Sequence, residues 1–330
     1  MLAPAVPIDL LIEPGWIIPI EPAGLVLENH ALAVHNGRIV ALLPVSDAGQ
    51  AYTPLEHVVL PGQVLMPGLV NLHTHAAMTL LRGYADDLPL MRWLNERIWP
   101  AERKFVSSDF IRDGTLLAAW EMLRGGITCF NDMYFFPGAA AEAAREAGIR
   151  AMLGVTVIEF PSAYAVDAED YLAKGLAVRD AWRDDPLVSF ALAPHAPYTI
   201  SDRSFERVAT LSAQLDMAVH IHLHETANEI AESIAQHGGR PIERLDRLGL
   251  LGPNLIAVHA VHMNGKEIEQ LARHGCNVAH CPTSNMKLAS GIAPIAEMHA
   301  AGLCVGLGTD SAASNNRLDV LREARQAALL

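Results

Sequence analysis

The hydrophobic pattern changes its period near residue 66. Before that point, short runs rich in Val, Ile and Leu occur at 9–12, 16–20, 31–35 and 38–43. Turn-forming residues separate them: Glu13-Pro14-Gly15, Glu21-Pro22-Ala23-Gly24 and Asn36-Gly37. Runs of that length between such turns predict β-strands, and an Asn-Gly pair between two apolar runs predicts a hairpin. Residues 1–66 therefore read as a small N-terminal β unit. From Met66 onward, short apolar runs alternate with longer stretches of helical period. Strand candidates fall at 70–73, 127–133, 150–156, 188–193, 218–222, 255–261, 277–280 and 304–308. Helical stretches include 110–124, 139–147, 171–182, 202–215 and 266–274, the last ending against Gly275, a suitable C-terminal cap. Repeated strand–helix units predict an α/β fold, a parallel (β/α)8 TIM-type barrel over residues 67–330, with its site at the C-terminal strand ends. A doubly wound open sheet is the alternative and would gather its site at one crevice.

Polar residues mark those strand ends. The first barrel strand closes in His73-Thr74-His75, and the fourth runs into Pro194-His195. The fifth reads Val219-His220-Ile221-His222-Leu223-His224-Glu225. The sixth ends in His259-Ala260-Val261-His262, the seventh in His280, and the eighth in Thr309-Asp310. Random placement would scatter the 15 histidines over helices and loops as well. Alternation along a strand puts His220, His222 and His224 on one face and Val219, Ile221 and Leu223 on the other. His73 and His75 share a face in the same way. Two imidazoles at that spacing can grip one cation, and a third imidazole with a carboxylate from other strands would complete its shell, a donor set suited to zinc. Taken singly, each has a plainer reading. An HxH can be a structural pair, His195 a hydrogen-bonded rim residue, and Asp310 a turn cap. His262 faces away from His259 and reads as structural, and His280 as a residue behind the site or in the core. The joint pattern favours a metal centre.

Composition narrows the partners. The net charge is −13, from 24 basic and 37 acidic residues, which argues against a nucleic-acid partner. Half of the residues are apolar (51%), enough for a large core, yet no apolar run reaches membrane-spanning length. The start lacks a basic segment followed by a long apolar stretch. Cys129, Cys276, Cys281 and Cys304 form no CxxC pair and read as buried free thiols of a reducing compartment. The expectation is a cytoplasmic enzyme that binds neither nucleic acid nor membrane.

Seven segments carry a family resemblance. They are 66–75 (MPGLVNLHTH), 78–83 (MTLLRG), 194–198 (PHAPY), 222–226 (HLHET), 258–263 (VHAVHM), 282–288 (PTSNMKL) and 308–316 (GTDSAASNN). With them the chain resembles the amidohydrolase superfamily, in its 5-methylthioadenosine/S-adenosylhomocysteine deaminase and triazine-hydrolase branch. The resemblance implies hydrolytic deamination of a purine nucleoside at one divalent ion per subunit, Zn²⁺ first, with Fe²⁺ or Mn²⁺ as alternatives. It implies His73, His75, His222 and Asp310 as metal ligands, Glu225 as proton carrier and His259 as partner of the reacting water. Asp310 would share in that proton transfer. Glu102 and His195 would contact the substrate, Glu102 at the ribose hydroxyls, with Glu225 and Asp310 beside it. It also implies that residues 1–66 belong to a β-sandwich whose remaining strands follow the barrel. The chain stops at Leu330, inside the expected eighth helix, so a C-terminal part is expected to be missing.

Two departures from the branch matter. No lysine lies near the end of the fourth strand, where binuclear relatives carry a carboxylated one, so a single ion is expected. The segment Val155-Thr156-Val157-Ile158-Glu159-Phe160-Pro161 lacks the arginines that some relatives use on the substrate, which leaves the 5′-substituent open. A guanine or cytosine deaminase or a triazine hydrolase on the same metal site is the first competitor, and a non-catalytic barrel scaffold the second. The oligomeric state stays open, a homo-oligomer included.

Overall fold

The structure is a computed structural model and describes residues 5–330. The chain divides into two compact units, one running through Gly68 and the other spanning Leu69–Leu330.

The first unit is a five-stranded sheet. Strand β1 (Val6–Ile17) pairs antiparallel with β2 (Leu27–Glu28) and β3 (His30–His35), and parallel with β5 (Tyr52–Leu65). Strand β4 (Arg38–Pro44) forms the expected hairpin with β3 around Asn36-Gly37. Two expectations change here. The runs at 9–12 and 16–20 are not separate strands: Glu13-Pro14-Gly15 is a register shift inside one long strand. Gly15 permits it, because a Cβ there would lie 2.3 Å from the Pro61 carbonyl oxygen. The pattern also missed β5 and the helix Val45–Ala51. Ala48 of that helix packs with Ile8, Leu11, Ala31 and Ala33 to form the unit's core.

The second unit is the barrel. Strands β6 (Leu69–Thr74), β7 (Ile127–Asp132), β8 (Arg150–Val157), β9 (Val188–Pro194), β10 (Val219–Leu223), β11 (Leu255–His259), β12 (Asn277–His280) and β13 (Cys304–Leu307) lie side by side in chain order, all neighbours parallel. Polar bonds draw the two edge strands together. The Asp310 N–H donates to the His73 carbonyl (2.9 Å), and Asn71 exchanges two hydrogen bonds with Thr309, at 2.8 and 2.9 Å. Close approach at the same seam needs Gly308, where a Cβ would sit 2.9 Å from the His73 backbone nitrogen. Doubly wound topology is thereby excluded.

The helices begin where side chains can satisfy their free N–H groups. Ser107 caps Ser108–Arg124, Asp167 caps Ala168–Trp182 and Ser201 caps Asp202–Leu215. Left-handed Gly148 ends Pro137–Ala147. The core lies between these helices and the strands. Phe130 and Phe205 are fully buried there, each stabilising the fold by roughly 1.5–3 kcal/mol. No helix among the described residues is long and apolar enough to cross a membrane.

Candidate metal centre

Five imidazole or carboxylate side chains converge at the C-terminal ends of β6, β10, β11 and β13. His73, His222 and His259 each offer a ligand atom within 4.8 Å of the others, and so do His73, His75 and Asp310. Asp310 Oδ1 is 3.4 Å from His73 Nε2 and 3.2 Å from His75 Nε2, while His73 Nε2 and His222 Nε2 are 3.3 Å apart.

The far side of each ring is held, which fixes the nitrogen that faces inward. His75 Nδ1 donates to the Met133 carbonyl at 2.5 Å, and His222 Nδ1 to the His195 carbonyl at 2.7 Å. His73 Nδ1 shares a hydrogen bond with His220 Nε2 at 3.0 Å. Asp310 is oriented just as closely. Its Oδ2 accepts from the Ser284 and Ser314 hydroxyls at 2.5 and 2.9 Å, and its Oδ1 from the Ser311 N–H at 2.8 Å. Burial lowers the His73 imidazole to about 4 and takes His222 well below its ordinary value, so both are neutral donors, the state a cation requires. His75 behaves otherwise. Burial works against its charge too, but the hydrogen bond and charge of Asp310, with the Met133 carbonyl and Asp132, together outweigh this and raise it to about 9. A cation held by the same atoms would compete with that proton. The donor set, three imidazoles and one carboxylate with their outer nitrogens and oxygens already engaged, fits a borderline divalent ion.

Around this cluster lies a cavity of about 490 Å³. Its wall includes His75, His195, His222, Glu225, His259 and Asp310. His73 sits behind them, fully buried. Glu225 Oε1 accepts from the Ser290 hydroxyl at 3.2 Å, and burial raises its carboxyl. His259 Nδ1 donates to Asn285 Oδ1 at 2.8 Å. His195 Nδ1 lies 3.2 Å from Thr199 Oγ1. Glu102, from the helix Trp99–Phe105, also lines the cavity and accepts from the Tyr134 hydroxyl at 2.7 Å. The aromatic rings of Trp93, Trp99 and Phe160 complete the wall, with Trp99 and Phe160 in edge contact at 5.6 Å.

The structure thus brings every residue singled out as ligand, proton carrier or substrate contact into one neighbourhood. It does not bring His224 there. The strand ends at Leu223, and His224 takes a left-handed backbone (φ 55°) that breaks the alternation. Its ring turns outward, where Nε2 accepts from the Ile242 N–H at 3.2 Å. His262 serves the scaffold, donating to the Ser290 carbonyl at 2.8 Å. Sequence reading missed the residues that orient the ligands. Ser284 and Asn285 lie inside the PTSNMKL segment and Ser314 inside GTDSAASNN, so a signal existed for these. Tyr134 and Trp93 carried none.

Buried histidines and an aspartate gathered at the strand ends of a barrel, close enough to hold one ion, are the arrangement of a metal-dependent hydrolase. The chain belongs to the amidohydrolase family, whose sequence pattern matches residues 64–330, and it is a hydrolase acting on carbon–nitrogen bonds. It is similar to the 5-methylthioadenosine/S-adenosylhomocysteine deaminase of Saccharophagus degradans, 46% identical over 98% of this chain and 73% of that one. The protein of the same description from Teredinibacter turnerae is 47% identical over 98% of this chain and 73% of its own length. Among solved structures, an adenosine deaminase from Xanthomonas campestris with bound zinc superposes with a TM-score of 0.96. It is 53% identical, over 99% of this chain and 74% of that one.

Proposed function

We propose that this protein hydrolytically deaminates an adenine nucleoside of the 5′-methylthioadenosine, S-adenosylhomocysteine or adenosine type, giving the inosine analogue and ammonia. The observation that carries this reading is that Glu225 and His259 share one cavity wall with the histidine–aspartate cluster and with Glu102. The deaminase relatives and the adenosine deaminase structure support the same substrate class.

His73, His75, His222 and Asp310 would hold one divalent ion, Zn²⁺ before Fe²⁺ or Mn²⁺. When bound, such an ion makes a water molecule ionisable near neutral pH. Asp310 and His259 orient that water and take up its proton. Glu225 hands a proton to the purine ring nitrogen next to C6, so that negative charge does not build up as the new C–O bond forms. The C6–N bond then breaks: the proton held at Asp310 leaves with the departing ammonia, and the proton of the new C6 hydroxyl returns to Glu225, leaving the C6 carbonyl. His259 keeps its Nε2 toward the cavity because Asn285 holds Nδ1. Glu102, aimed by Tyr134, accepts the ribose hydroxyls, which favours a nucleoside over a free base. His195 lines the same wall as a further substrate contact.

The test is ammonia release by the zinc-loaded protein from adenosine, 5′-methylthioadenosine, S-adenosylhomocysteine, guanine and cytosine. Turnover of the nucleosides with little from the bases is expected. Ammonia from guanine alone would replace this reading with a base deaminase, and none from any substrate would favour a scaffold.

A further inference from the structure

Glu229 is a carboxylate buried to 4% exposure, on the third residue of the helix Ala227–His237, and it touches neither the cavity nor the cluster. Its two oxygens accept from consecutive backbone amides. Oε1 takes the His224 N–H and Oε2 takes the Glu225 N–H, both at 2.8 Å. Successive amides flanking a left-handed residue form a concave anion site, and His224 supplies that residue at φ 55°. The plain alternative is a capping box, since Thr226 caps this helix and Glu229 stands three residues on. A capping glutamate reaches back only to the cap residue's own N–H and sits near the surface. Glu229 reaches one and two residues further and is buried. Burial pushes its carboxyl up, and the amides of His224 and Glu225 act in the opposite direction, favouring the charged form.

The turn it grips has a specific task. Up to Leu223 the strand alternates, and continuing it would send His224 into the barrel and Glu225 outward. The left-handed step reverses this. His224 leaves to bond Ile242, and Glu225 swings onto the cavity wall beside His259. A non-glycine residue holds such a backbone only when its surroundings over-determine it. We propose that Glu229 is a positioning residue for the proton carrier: its carboxylate, bridging the amides of His224 and Glu225, locks the turn that aims the Glu225 side chain at the substrate. The inference rests on reading Glu225 as the proton carrier.

The test compares wild type, Glu229→Gln, Glu225→Gln and the double variant, each zinc-loaded and assayed with adenosine, with zinc content measured beside kcat and KM. An amide at 229 can accept from one backbone N–H but presents its own N–H groups to the other. Glu229→Gln is expected to lower kcat by about 10–100-fold, the scale of a misplaced reacting group. KM should change by less than about threefold and zinc content not at all. Residues that act through one another are non-additive, so the double variant should lose no more than about twofold beyond Glu225→Gln. A kcat near that of wild type, the same fold loss repeated in the Glu225→Gln background, or a loss matched by missing zinc would each overturn the proposal. If Glu225→Gln itself turns over normally, the reading of Glu225 fails and this inference with it. Should Glu229→Gln not accumulate as folded protein, Glu229→Asp keeps the charge but falls one methylene short. It is expected to show the same loss in kcat without a change in KM, and an unchanged kcat there overturns the proposal.

Discussion

Glu225 Oε2 lies 3.7 Å from His259 Nε2, so the proposed proton carrier and the partner of the reacting water face each other across the cavity floor. Neither belongs to the regular part of a strand, since Glu225 follows the left-handed His224 and His259 itself has φ 70°. Both side chains are aimed by backbone that only a packed barrel can hold.

Glu225→Gln keeps the size of the side chain and removes its titrating group. We expect the variant to bind zinc normally and to lose turnover by about 10²–10⁴-fold, the usual contribution of a positioned acid or base. Metal analysis beside a steady-state ammonia assay checks it, and normal activity in a metal-replete preparation refutes the role.

Asn285 fixes the tautomer of His259 by accepting from Nδ1. Asn285→Leu leaves that nitrogen without an acceptor and lets the ring turn. A loss of about 10–100-fold in kcat/KM is expected, with little change in melting temperature. A fall in stability with kcat intact would instead mark Asn285 as a packing residue.

Burial pushes the Glu102 carboxyl up to about 7, although the hydrogen bond from Tyr134 acts the other way. The group is therefore a carboxylate above that pH and takes up a proton as the pH falls through it. Only the carboxylate keeps acceptor capacity on both oxygens, Oε1 beside its bond from Tyr134, to receive two ribose hydroxyls. KM for adenosine should rise as the pH is lowered from 8 to 6, and the dependence should flatten in Glu102→Gln. A KM profile that is the same in both proteins would remove Glu102 from ribose recognition.

Chelation of the ion should abolish ammonia release, and added Zn²⁺ should restore it. The same treatment should lower the melting temperature. A ligand present at ~1,000 times its Kd stabilises the folded state by about 4 kcal/mol. Asp310→Ala should lose both effects together. A melting temperature insensitive to chelator and zinc, in a protein that still deaminates adenosine, would contradict the cluster's assignment.

Gly114 lets the helix Ser108–Arg124 press against the segment after His75. A Cβ at 114 would lie 2.4 Å from the Ala77 carbonyl oxygen and 2.8 Å from Ala77 Cα. Gly114→Ala should cost about 1–3 kcal/mol of stability through overpacking. Because Ala77 follows His75 by two residues, zinc affinity should fall as well. Unchanged denaturation midpoints would show that the helix can move away freely.

Much of the barrel and of the site was written in the sequence, because both rest on local signals. Apolar runs bounded by turn residues locate each barrel strand to within a few residues, and the strand ends carry His73, His75, His222, His259 and Asp310 in plain view. Period-two alternation was enough to point His222 inward with His220. It failed one residue past the strand. His224 departs from the alternation because a left-handed turn, held by Glu229 and by the Ile242 amide, is a tertiary feature with no local signature. The N-terminal strand β1 was misread for a related reason: Glu13-Pro14-Gly15 has turn chemistry, yet pairing with β5 across a register shift keeps it extended. The sequence by itself determined which side chains could bind a cation and roughly where on the barrel they would stand, since strand period and order fix the rim. Only the tertiary structure decided how those side chains are aimed. Ser284 and Asn285, neighbours on the helix Pro282–Lys287, reach Asp310 and His259, and Tyr134 reaches Glu102, each from a remote part of the chain, and such contacts exist only once the barrel has brought distant segments together.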